Sequence, residues 1–220
     1  MRVENNFVSV VTLGSFNPSI LTSHFLIREC GLEIKGKATR EERTPVVSRV
    51  DYPGLSFLAD LDRFQIIERE LDELGKSRVV EFLRIYLEKL PYTPLSKCGV
   101  NINVNVSGIN ERALIAVLTE WKKDLFKILG TENFAIETRS RHRPEGHRYV
   151  GWTIIYAIKK EDTLGRLTIS KKRNSVYEVN YNYEVAKLEK NHSRLEAITK
   201  GYPRIVKHYE KAIRAIFEEG

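Results

Sequence analysis

The sequence is poor in the residues that carry redox and metal chemistry. Its two cysteines, Cys30 and Cys98, are far apart and fit no metal-binding or redox spacing. They read as reduced, buried thiols, with a disulfide as the alternative. No paired-cysteine or His-Glu-x-x-His signature occurs, and no glycine cluster has the spacing that cradles a phosphate. No serine lies in a Gly-x-Ser-x-Gly elbow, so acyl transfer has no anchor. No apolar run reaches about 18 residues, which excludes a membrane-spanning helix. No signal-peptide core follows Met1–Asn6, and a cytoplasmic protein without a cofactor is expected. Met1 is the only methionine and Gln65 the only glutamine, while charged residues make up 30% of the chain. That bias is typical of proteins from hot environments.

The formal net charge of +7 is unevenly spread. Residues 1–108 hold 14 basic and 14 acidic side chains, and residues 109–220 hold 22 and 15. The whole surplus therefore lies in the second part, which points to a polyanionic partner or to a solubilising surface charge.

The clearest structural signal is the stretch from Lys97 to Gly108. Val100, Ile102, Val104 and Val106 alternate with Asn101, Asn103, Asn105 and Ser107. This period of two predicts a half-buried strand with the branched residues inward and the asparagines on the open face. Before it, strands are expected at 7–13, near 24–29, at 46–50, 55–59 and 63–68, with a charged loop or hairpin tip over 31–44. Tyr52-Pro53-Gly54 reads as a turn, because proline presets φ and glycine permits a positive one. Val79, Phe82, Leu83, Tyr86, Leu87 and Leu90 recur at helical spacing and predict a helix over 73–90, ended by Pro91 and Pro94.

After the alternating strand, Asn110 is a good N-cap for a helix that runs to Gly130. A meander of strands is expected near 132–143, 148–159, 164–170 and 175–186. A final amphipathic helix over 191–217 follows, with a kink or break at Gly201 and Pro203. The predicted fold is α+β, with two similar halves of antiparallel strands. Each half is followed by a long amphipathic helix, and the helices pack on one face of the sheet or sheets. The halves are 1–108 and a basic 109–220, which either stand apart or form one continuous domain.

This order of elements resembles a sporadically distributed family of prokaryotic α+β proteins with no assigned function. The residues that carry the resemblance are Arg63-Phe64, the helix over 73–90, Leu90-Pro91-Tyr92-Thr93-Pro94-Leu95 and Gly99-Val100-Asn101. The last strand and the C-terminal helix echo it. The resemblance implies a two-half architecture and no catalytic residues.

Three candidate sites remain. His142 and His147 flank the turn Arg143–Gly146 but lack further ligands besides Glu145, so no metal site is assigned. Asp60 and Asp62 share a parity and could hold Mg²⁺ for phosphoryl-transfer or nuclease chemistry, or could simply form a charged turn. The electrostatic candidate is a row of arginines, Arg139, Arg141 and Arg143, with steps of about 7 Å along a strand, near the phosphate spacing of a nucleic-acid strand. Arg148 continues it round a turn, and Lys171, Lys172 and Arg173 lie at another. Cross-strand ion pairs with Glu178 and Glu184, or a polar dimer interface, are the competing readings. The first expectation is thus a non-enzymatic binding or assembly module, homo-oligomeric and without membrane partners. Nucleic-acid binding through the arginine row is the second, and a metal-dependent enzyme the third.

Overall fold

The computed structural model describes residues 2–110, 114, 133–142, 148–157, 163–171, 176–186, 188 and 195–217. The expected helix over 110–130 lies outside them except for Asn110 and Leu114. Leu114 is helical and buried, and its N–H donates to the Asn110 carbonyl at 3.0 Å.

Among the described residues ten strands form: β1 (Arg2–Gly14), β2 (Arg40–Arg43), β3 (Val47–Tyr52), β4 (Leu55–Asp60), β5 (Arg63–Arg69), β6 (Leu95–Ser107), β7 (Asn133–His142), β8 (Arg148–Ala157), β9 (Thr163–Lys171) and β10 (Tyr177–Ala186). The α-helices described are α1 (Val79–Glu88), α2 (Leu195–Thr199) and α3 (Tyr202–Phe217). The strands join in one 10-stranded sheet, in the order β2-β3-β4-β5-β1-β6-β10-β9-β8-β7.

This topology corrects the predicted α+β fold of two halves, each with strands and a long helix. β6 has β1 on one edge and β10 on the other, so strands from both parts of the sequence share one large antiparallel sheet. Helix α1 is also shorter than expected. Leu74–Lys76 forms a separate 3₁₀ turn, which leaves α1 only 10 residues. The cause is local: within 73–78 Leu74 is the only apolar residue, and it reaches the core. The Glu68 carboxylate then accepts from Ser77 Oγ at 2.8 Å and the Arg78 N–H at 2.9 Å, fixing the start of α1. The C-terminal helix breaks at Gly201, as expected, into α2 (described from Leu195 to Thr199) and the 16-residue α3. The strand expected near 24–29 is instead a single π-helical turn, Phe25–Glu29. A short apolar run does not separate the two forms by periodicity.

The chain divides into two compact units with interleaved segments. One comprises Phe7–Asn101 and Glu184–Tyr202. Its core lies between one sheet face and α1. Val10, Val50, Phe57, Phe64 and Ile66 meet the buried stripe Val79, Phe82, Leu83 and Tyr86 of α1. The rings of Phe57 and Phe82 lie 6.2 Å apart, and Phe25 approaches Tyr86 edge-on at 5.8 Å. Gly54 has φ 69° at the tip of the β3–β4 hairpin, so the turn there uses the positive φ expected of glycine.

The other unit comprises Met1–Asn6, Ile102–Tyr183 and Pro203–Gly220. Its meander β7–β8–β9 is antiparallel, with Arg139 opposite Gly151 and Gly151 opposite Ser170. In β6 the expected inward residues Ile102, Val104 and Val106 are buried, and in β10 Tyr177, Val179 and Tyr181 are buried. Tyr209 of α3 sits edge-on to Tyr181 with centroids 5.9 Å apart. No helix among the described residues is long and apolar enough to cross a membrane.

Candidate functional site

The polar sheet face was the expected site, and its geometry differs between strands. On β6, Asn103 is only 3% exposed, and its Nδ2 donates to Glu178 Oε1 at 2.9 Å. For Asn103 the expected place on an open face is therefore corrected, while Asn101 and Asn105 are half-buried. β6 lies inside the sheet rather than at its rim, and Asn103 is spent on a cross-strand hydrogen bond. In the first-described unit, Lys97 Nζ pairs with Glu184 Oε1 at 3.2 Å. Both glutamates named as ion-pair partners thus have polar partners from β6.

Farther along the meander, register parity sorts the basic residues. Glu137, Thr153 and Thr168 form one cross-strand row, and Arg139, Gly151 and Ser170 form the next. Residues directly opposite in an antiparallel ladder share a face. On β9 this face carries exposed Arg166 and half-buried Thr168 and Ser170, while Leu167 and Ile169 of the other parity are buried at 1%. Arg139 and Arg141 therefore belong to the polar parity. Arg148 is opposite His142 and belongs to the parity of Ile154 and Leu167, as Lys171 does by its step from Ile169. Arg143, Lys172, Arg173 and His147 lie outside the described residues.

The carboxylate pair has a structural explanation. Asp60 Oδ1 accepts the Asp62 N–H at 3.0 Å, and Asp60 Oδ2 pairs with Arg63 at 3.1 Å. That closes the β4–β5 turn in the manner of an Asx turn. Among the described residues no group of three or more His, Cys, Asp or Glu is placed to hold a metal ion. Cys30 and Cys98 are buried and unjoined, as expected. Burial pushes the Cys98 thiol up to about 12, against the opposing pull of the hydrogen bond from Thr12 Oγ1.

No protein-family model matches the chain, and no curated protein matches it. Solved structures similar to it include a rolling circle replication initiator protein from Geobacillus stearothermophilus, at 10% identity and TM-score 0.32, covering 91% of this chain and 79% of that one. Protein Ms6760 from Mycobacterium smegmatis is 12% identical with TM-score 0.27, covering 54% of this chain and 87% of that one. The di-domain ARO/CYC StfQ from the steffimycin biosynthetic pathway is 10% identical with TM-score 0.33, covering 78% and 69%. Likenesses this distant carry no argument about fold or activity.

Two features escaped the sequence reading. One is a groove of about 660 Å³ between α1 and α2, floored by Leu87, Pro91 and Leu195. Ion pairs internal to each helix, Arg84–Glu88 and Lys200–Glu196, line it. Only those i, i+4 pairs signal it in the sequence, and they mark a helix surface rather than a groove. The other is the contrast between the two strands that end the sheet order. β2 is 4 residues long, Arg40-Glu41-Glu42-Arg43, and exposed throughout, with Arg40 paired to Glu42. β7 is 10 residues long, and among the described residues no strand pairs with its second edge.

Proposed function

We propose that this protein is a binding or assembly module that works as a homo-oligomer. The observation that carries the reading is the length and composition of β7. Short, charged edges such as β2 resist strand addition, whereas a long edge strand offers a continuous row of backbone donors and acceptors. A cytoplasmic setting accords with two buried thiols that are not joined. Light scattering coupled to gel filtration at micromolar concentration tests the reading. A dimer or larger assembly is expected, and a strict monomer refutes it.

A second reading, nucleic-acid binding, is favoured by the shared parity of Arg139 and Arg141 with exposed Arg166 on the meander's polar face. It predicts binding to single- or double-stranded DNA or RNA that weakens steeply with salt. Fluorescence anisotropy at about 50 mM salt measures it, with Arg139→Ala/Arg141→Ala as the comparison. Absence of binding at low salt rejects this reading.

A further inference from the structure

We infer that β7 pairs antiparallel with β7 of a second copy, in a register centred on Thr138. This inference rests on the assembly reading and gives it a specific interface.

Such a contact between two copies is symmetric. A two-fold axis normal to the sheet extends it across the junction, so residues of equal parity face each other and the axis passes beside one residue. Centring on Thr138 sets Glu137 of each copy opposite Arg139 of the other, and does so twice. It aligns residues 134–142 of both chains, nearly the whole strand, and places threonine against threonine at the axis. Opposite charges and threonine pairs are both favourable across an antiparallel ladder.

The neighbouring registers are worse. Centring on Glu137 or on Arg139 sets a charge against its own copy at the axis. Centring on Ser140 sets Arg139 against Arg141 twice, and centring on Ile136 leaves Glu137 facing Ala135 and shortens the overlap to 133–139. Thr138 is thus the one centre among these five that pairs Glu137 with an arginine and opposes no like charges. The other terminal strand offers no comparable surface, since β2 has only 4 residues and Arg40 and Glu42 already pair within it.

The test is a charge swap on the full chain, followed by sedimentation equilibrium. Glu137→Arg and Arg139→Glu are each expected to raise the dimer Kd at least about tenfold, because every matched pair becomes a like-charge pair. Mixing the two variants is expected to restore the dimer, because two cationic positions then face two anionic ones. The double variant Glu137→Arg/Arg139→Glu is expected to dimerise as the unaltered protein does. It keeps the test decisive if a single variant does not fold, as judged by circular dichroism. A monomeric unaltered protein overturns the assembly reading and this interface together. A dimer that both single variants retain, or that neither mixing nor the double variant restores, overturns the interface alone.

Discussion

The ring of Tyr86 lies almost flat on that of Phe64, with centroids 4.0 Å apart and planes 9° from parallel. Phe64 comes from β5 and Tyr86 from α1, and they are 0% and 1% exposed. This contact joins the sheet to α1 at the centre of its unit. Each ring removed leaves a cavity that a close-packed core fills poorly, so Phe64→Ala and Tyr86→Ala should each cost about 3–5 kcal/mol. A double-mutant cycle with leucine at both sites should show a coupling of about 0.5–1.5 kcal/mol. Denaturant unfolding measures both.

The carboxylate of Glu68 should matter through one oxygen. Oε2 accepts from both Ser77 Oγ and the Arg78 N–H at the start of α1. Glu68→Ala removes both acceptor contacts and is expected to cost about 1–2 kcal/mol. Glu68→Gln keeps an oxygen able to take both and should lose less than half as much. The difference in urea midpoint between the two variants separates hydrogen bonding from bulk charge.

Two glycines should respond oppositely to alanine. A Cβ on Gly14 would fall 2.2 Å from the Pro94 carbonyl oxygen, and backbone cannot rotate away. The same oxygen accepts the Ser15 N–H at 3.0 Å, so the approach is part of the join between the ends of β1 and β6. Gly14→Ala is expected to destabilise by about 1–3 kcal/mol. Gly75 has nothing within 4 Å of its would-be Cβ, and Gly75→Ala should be neutral or stabilising by up to about 1 kcal/mol. Thermal melts of the two variants give the comparison.

Acid should weaken the fold through His208 before the carboxylates titrate. Burial holds its imidazole below the ordinary 6.5, and the charges of Lys211 and Arg204 push it the same way. Below pH 6.5 the unfolded chain takes up the proton first, so stability falls as pH drops from 6.5 through the folded value and then levels. The urea midpoint of the unaltered protein should fall more between pH 7.5 and 5.5 than that of His208→Asn. Equal losses in both proteins would assign the pH dependence to other groups.

Much of the architecture is legible in the sequence where one periodicity dominates. The alternation in β6 names its buried branched residues, and Pro53-Gly54 marks a hairpin boundary. β2 was hidden because Arg-Glu-Glu-Arg has no apolar face to reveal a strand. Sheet order was not legible because hydrogen-bond partners at long separation leave no local pattern. The candidate site suffered for the same reason. The β7–β8 register, not the sequence spacing, separates Arg148 from Arg139 and Arg141. Asn103 looked exposed because polarity was read as wetness, whereas a strand inside a sheet can bury an amide against Glu178.

The position of β6 between β1 and β10 also governs the order in which the chain can assemble. β1 precedes β6 and is available as soon as β6 is made, but β10 begins only at Tyr177. During synthesis β6 therefore waits with one edge open, while β7, β8 and β9 can form as a local meander of short sequence separation. Docking of β10 closes that edge, making it the late, topologically demanding step of folding. A chain truncated before Tyr177 should expose the valine-rich β6 and aggregate through it.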